Sequence, residues 1–133
     1  LPYRFEPQLV ELARSVDFLV AACPGGAATR GLISREVLTA LGPKGIFINI
    51  SRGSVLDEAA MVELLVRGRL GGAGLDVFVD EPRVPAALFN LDNIVLQPHQ
   101  ASATHETRGA MAQLVLDNIA AYAAGRPLLT PVN

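Results

Sequence analysis

Ile46-Phe47-Ile48-Asn49-Ile50-Ser51-Arg52-Gly53 is a run of apolar residues that ends abruptly in a hydroxyl, a guanidinium and a glycine. It reads as a buried strand, Gly45 to Ile50, that delivers Arg52 to its tip. Working outward, three more short runs share this layout. Phe18 to Ala22 is continuous and partly β-branched, and stops at Cys23-Pro24-Gly25-Gly26. Gly71 to Phe78 is rich in small residues, which allow a neighbouring backbone or a ligand to come close, and it leads to Asp80-Glu81-Pro82. Asn93 to Leu96 ends in Gln97-Pro98-His99. Length and β-branching distinguish such runs from helices.

Helical patterns separate them. Leu9, Leu12, Ala13 and Val16 follow Pro7 at helical spacing; Ser34 caps a helix through Leu41, stopped by Gly42-Pro43; Asp57 caps another, with Met61, Leu64 and Leu65 as its apolar stripe and Gly68 at its end. Thr104 or Ser102 starts the last helix, which carries Met111, Leu114, Val115 and Tyr122 and stops at Gly125 and Pro127. Strands alternating with helices predict an α/β fold with a parallel sheet and right-handed crossovers. Ligands of such sheets bind beyond the carboxyl ends of the strands, where an arginine is a natural anion receptor.

The 133 residues suit one domain and carry a formal net charge of −2 with 18% charged residues. That balance gives no footprint for nucleic acid. One cysteine, Cys23, cannot form an internal disulfide, and no apolar run approaches the ~18 residues of a membrane span. The expectation is a cytoplasmic protein with no membrane partner. Two separated histidines and one cysteine predict no metal site, and Ser51 and Ser54 lie outside any Gly-x-Ser-x-Gly elbow.

Four strand exits therefore carry Cys23-Pro24, Ser51-Arg52, Asp76 with Glu81, and His99, all expected on one edge. Arg52 can hold a carboxylate by two parallel hydrogen bonds. His99 can donate a proton to a carbonyl oxygen, and Glu81 can fix the imidazole and favour its charged form. The set suits reduction of a 2-keto acid, with a nicotinamide cofactor to carry the hydride. Each member alone also has an ordinary reading: Arg52 a solvated charge, Glu81 a loop carboxylate, His99 a loop histidine, Cys23 a small buried hydrophobe, Asp76 and Thr29 turn residues, His105 a surface residue.

Three ordered motifs, Asn49-Ile50-Ser51-Arg52-Gly53, Gly72-Ala73-Gly74-Leu75-Asp76-Val77-Phe78 with Glu81-Pro82, and Pro98-His99-Gln100-Ala101-Ser102-Ala103-Thr104, resemble the signatures of the D-isomer-specific 2-hydroxyacid dehydrogenases. Among members the glyoxylate and hydroxypyruvate reductases look most similar. The resemblance implies a partial doubly wound sheet, the second half of a Rossmann-type NAD(P)-binding domain, spanning 1–133 together with a terminal helix at about 104–125 that returns toward a substrate domain. It implies Arg52, Glu81 and His99 as catalytic residues. Cys23, Pro24, Thr29, Ile50, Arg52 and Asp76 would face the cofactor, and Arg52, His99, Ala101 and Ser102 the substrate. The cofactor is NAD or NADP, with NADP slightly favoured; the partner is a small 2-keto or 2-hydroxy acid, and the intact protein a homodimer.

Pro24-Gly25-Gly26 departs from the Pro-Leu-Thr frequent in the family, which predicts a more mobile loop. Gln100-Ala101 departs from an apolar residue followed by Gly, which bears on the substrate pocket. No Gly-x-Gly-x-x-Gly occurs in the 133 residues. The chain therefore reads as a C-terminal piece, inactive by itself. Two rival readings share the scaffold: a dinucleotide-dependent binding module like the C-terminal binding protein corepressors, and a remnant that self-associates through exposed apolar surface.

Overall fold

A computed structural model describes residues 3–132 and divides the chain into two compact units, Leu1–His99 and Gln100–Asn133. In the first unit the elements run α1 (Leu9–Arg14), β1 (Phe18–Ala21), α2 (Arg35–Leu41), β2 (Ile46–Asn49), α3 (Glu58–Val66), β3 (Gly72–Leu75) and β4 (Ile94–Leu96), with 3-10 turns at Ala27–Thr29, Gly53–Val55 and Ala86–Asn90. The four strands form one sheet in the order β1-β2-β3-β4, and every pair is parallel. The fold is α/β, as the alternation predicts.

Local chemistry sets the boundaries. Ser34 accepts the Val37 N–H at 3.4 Å to start α2, and the Asp57 carboxylate accepts the Ala60 N–H at 3.0 Å to start α3. The strands are shorter than the apolar runs that encode them, by a residue or more at one or both ends.

The core lies on one face of the sheet. Leu19, Ala21, Phe47, Ala73 and Leu75 point into it and meet Val37, Leu38 and Leu41 of α2 and Met61, Leu64 and Leu65 of α3. Here the structure corrects the expectation of a buried strand at Phe18 to Ala22: Phe18 is 60% and Val20 51% exposed, alternating with buried Leu19 and Ala21. Right-handed crossovers that all step in one direction along the sheet leave their helices on one face. Ile46 and Ile48 on the opposite face are only half-buried for the same reason. The small residues of β3 do permit close approach, since a Cβ on Gly72 would stand 2.7 Å from the Asn93 carbonyl oxygen beside β4.

The second unit is built on α4 (His105–Ala123), capped by Thr104, whose hydroxyl accepts the Thr107 N–H at 3.2 Å. Asn118 ties the following segment to the helix: its Oδ1 accepts the Leu129 N–H at 3.0 Å and its Nδ2 donates to the Thr130 hydroxyl at 3.1 Å. Met111, Leu114, Val115 and Tyr122 are exposed. Among the described residues no helix is long and apolar enough to cross a membrane.

Phe47, fully buried at the centre of the sheet, is the most informative core position. Phe47→Ala is expected to cost about 3–5 kcal/mol in urea unfolding, whereas Phe18→Ala on the exposed face should cost no more than about 1 kcal/mol. Equal losses would contradict the one-sided core.

Candidate active site

The registers align Ala21, Asn49, Leu75 and Leu96 in one row, so all four strands end together. The residues that leave the four strands are thereby collected on one edge. At the β2 exit the organising residue is Asn49, a fully buried amide. Its Oδ1 accepts the Ser51 N–H at 3.0 Å and its Nδ2 donates to the Arg52 carbonyl at 3.2 Å. An unpartnered buried amide would cost roughly 1–3 kcal/mol, so the turn is folded around this side chain. Sequence reasoning assigned Asn49 no role. Its signal was there: one amide inside an otherwise apolar strand.

Ser51, also buried, donates its hydroxyl to the Cys23 carbonyl and so ties the β1 and β2 exits together. Arg52 projects beyond them, with one guanidinium nitrogen, Nη1, donating to the Ser51 carbonyl at 2.7 Å. Its stem lies over Gly25, where a Cβ would come within 2.6 Å of the Arg52 Cγ. The second residue of Pro24-Gly25-Gly26 thus gives the arginine its seat, a purpose that the expectation of added mobility left out. Thr29 spends its hydroxyl on bracing this loop, donating to the Pro24 carbonyl at 2.7 Å. A cavity of about 600 Å³ opens among Cys23, Pro24, Gly25, Ile50 and Arg52.

At the β3 exit Asp76 is buried, and its N–H donates to the Asn49 carbonyl at 3.1 Å. Two residues on, the Phe78 N–H donates to Glu81 Oε1 at 3.0 Å, while Glu81 Oε2 meets His99 Nδ1 at 2.7 Å. An ionised carboxylate only accepts, so Nδ1 carries the hydrogen and Nε2 is the nitrogen available for transfer. His99 hydrogen bonding, then the Phe78 N–H, outweigh desolvation and hold the Glu81 carboxyl below its ordinary 4.5; the charges of His99 and Arg52 add to this. His99 has φ +52°, left-handed backbone that few residues other than glycine adopt. Beside it lies a cavity of about 270 Å³, walled largely by Phe78, Val84, Phe89 and Leu96.

Arg52, Glu81 and His99 therefore lie at exits of one sheet edge, as do Cys23, Pro24, Ile50 and Asp76. Ala101 and Ser102 are exposed in the second unit. His105 is exposed at the start of α4, in line with its reading as a surface residue.

Comparison with known proteins decides the kinship. The family model described as D-isomer specific 2-hydroxyacid dehydrogenase, NAD binding domain, matches residues 2–101. The chain belongs to this family. Hydroxyphenylpyruvate reductase of Plectranthus scutellarioides is 56% identical over 130 residues, 98% of this chain and 42% of the relative. Glyoxylate/hydroxypyruvate reductase A of Arabidopsis thaliana is 52% identical over the same shares of the two chains. Among solved structures, the NADPH-dependent glyoxylate/hydroxypyruvate reductase of Sinorhizobium meliloti, in complex with NADP and malonate, superposes with a TM-score of 0.94 at 49% identity, over 99% of this chain and 41% of that one. The chain spans about 42% of the length of the relatives it matches, and its fold is that of the NAD(P)-binding domain of these dehydrogenases. The open, polar cavity at the β1 and β2 exits fits part of such a cofactor.

The depressed Glu81 carboxyl makes a stability prediction. A carboxyl whose folded value lies below its unfolded one adds stability above the unfolded value and loses it as pH falls through the folded one. The melting-temperature gap between wild type and Glu81→Gln should therefore be widest above the ordinary 4.5 and close below it. A gap constant from about pH 7 to about pH 3 would contradict the stabilised Glu81 carboxylate.

Proposed function

We propose that the protein containing this chain is an NAD(P)-dependent reductase of a small 2-keto acid, of the glyoxylate or hydroxypyruvate type, yielding the D-2-hydroxy acid and running in reverse as a dehydrogenase. The observation that carries this reading is the Glu81–His99 pair at 2.7 Å on the sheet edge that also bears Arg52.

Each residue has a role that its surroundings support. Arg52, braced through its backbone by Asn49, offers its remaining guanidinium donors to the substrate carboxylate in two parallel bonds. That grip fixes the neighbouring carbonyl relative to His99. His99 Nε2 gives its proton to the carbonyl oxygen as that oxygen becomes a hydroxyl, and takes a proton back in oxidation. Glu81 holds the imidazole by Nδ1 and compensates its positive charge.

None of these side chains can carry a hydride, which is the chemistry a bound nicotinamide supplies. Cys23, Pro24, Thr29, Ile50, Arg52 and Asp76 would hold it, Asp76 through the carboxamide. Ala101 and Ser102, a few residues beyond His99, would contribute to the substrate pocket. The cofactor in this reading is NAD or NADP, with NADP slightly favoured by family resemblance, and a homodimer is the assembly it carries. The chain reads as the second half of the nucleotide-binding domain plus its terminal helix. Without a Gly-x-Gly-x-x-Gly loop among its 133 residues, it should not turn over alone.

Steady-state kinetics of the intact protein with NADPH and hydroxypyruvate test this. His99→Ala should lower kcat by about 10²–10⁴-fold, and Arg52→Ala should raise KM for the keto acid while also lowering kcat. A His99→Ala protein that keeps wild-type kcat would favour a binding module instead.

A further inference from the structure

Glu58 occupies the first turn of α3 without capping it, because Asp57 already accepts the Ala60 N–H. Its carboxylate reaches outward, and Oε1 accepts the N–H of Val79 at 2.9 Å, a residue 21 positions later in the loop beyond β3. The preceding N–H, that of Phe78, donates to Glu81 Oε1 at 3.0 Å. Two carboxylates thus hold two successive N–H groups of one loop.

The same loop is pressed from the Arg52 side. Gly53 is buried, and a Cβ there would stand 2.0 Å from the Phe78 carbonyl oxygen and 2.4 Å from the Val79 nitrogen. Only a residue without a side chain lets the β2 exit rest on this peptide. The Val79 side chain is exposed. With the Phe78 side chain in the core cluster, the Phe78–Val79 peptide is held on its backbone side between Gly53 and Glu58.

We propose that Glu58 is a positioning residue for the proton-transfer pair: by holding the Val79 N–H it fixes the Phe78–Val79 peptide against Gly53, and with it the Glu81 carboxylate that orients His99. The inference rests on the reading of Glu81 and His99 as that pair. Support runs unbroken from the core, where Met61, Leu64 and Leu65 seat α3, through Glu58 to the loop and Glu81. A displacement of Glu81 by a fraction of an ångström would tilt the imidazole and misalign Nε2, which proton transfer tolerates poorly. The groups that face Glu81 are His99, the Phe78 N–H and the charge of Arg52, and a change at Glu58 leaves all three chemically intact.

The test uses the intact protein with NADPH and hydroxypyruvate, comparing Glu58→Ala, Glu58→Gln and Glu81→Gln. Glu58→Ala should lower kcat about tenfold with KM for NADPH changed less than about twofold. Glu58→Gln, which keeps an acceptor oxygen, should restore most of the rate. By carboxyl NMR the Glu81 titration should move up in Glu58→Ala and return in Glu58→Gln. Should Glu58→Ala fail to fold, Glu58→Thr, too short to reach Val79, takes its place with the same expectations. Wild-type kcat and an unmoved Glu81 titration in Glu58→Ala, alongside an impaired Glu81→Gln, overturn the positioning role alone. So does a loss that the NADPH KM shares and Gln does not rescue. A fully active Glu81→Gln overturns the reading of the pair, and the proposal with it.

Discussion

The common end row of the parallel sheet, Ala21, Asn49, Leu75 and Leu96, is the constraint on which the site depends. Because all four strands point one way and stop in one register, four loops far apart in sequence emerge side by side. Hydrogen bonds between the loops then fix them. Ser51 ties the second exit to the first through the Cys23 carbonyl, the Asp76 N–H ties the third to the second through the Asn49 carbonyl, and Glu81 ties the third to the fourth through His99. An arginine and a carboxylate–imidazole pair thus share one rim.

The rim divides its tasks by chemistry. The first two exits present a backbone-rich cavity with Arg52 at its side, suited to a ligand approached through main-chain atoms. The last two present the Glu81–His99 hydrogen bond and an apolar cavity. Glycine is used where exits must come close: Gly25 beneath the arginine stem and Gly53 against the Phe78–Val79 peptide. Charge does the rest, since Arg52 and His99 both favour the ionised form of Glu81.

Much of this was legible in the chain itself. Ser34, Asp57 and Thr104 cap the helices that their side chains predict, because capping is a local interaction that short sequence contains. Arg52, Glu81 and His99 stand out since charged and titratable residues that directly follow apolar runs are readable once a parallel sheet is inferred. The features hidden from the sequence depend on contacts between distant segments. The exposure of Phe18 and Val20 follows from which face the crossovers cover, and an apolar run looks the same whether one face or both are buried. The purpose of Gly25 needs the position of Arg52, and that of Glu58 needs a loop 21 residues away. Asn49 lies between these cases, visible as an anomaly but interpretable only with the turn it fills.

In this reading Arg52 and His99 act on one small acid from the second and fourth exits, with the third between them. A crystal structure of the intact protein with NADP and oxamate addresses it most directly. The oxamate carboxylate is expected in two parallel hydrogen bonds to the Arg52 guanidinium, with His99 Nε2 within hydrogen-bond reach of the amide carbonyl oxygen and Nδ1 still on Glu81. Oxamate bound away from Arg52, or with His99 Nε2 turned from its carbonyl, would contradict it.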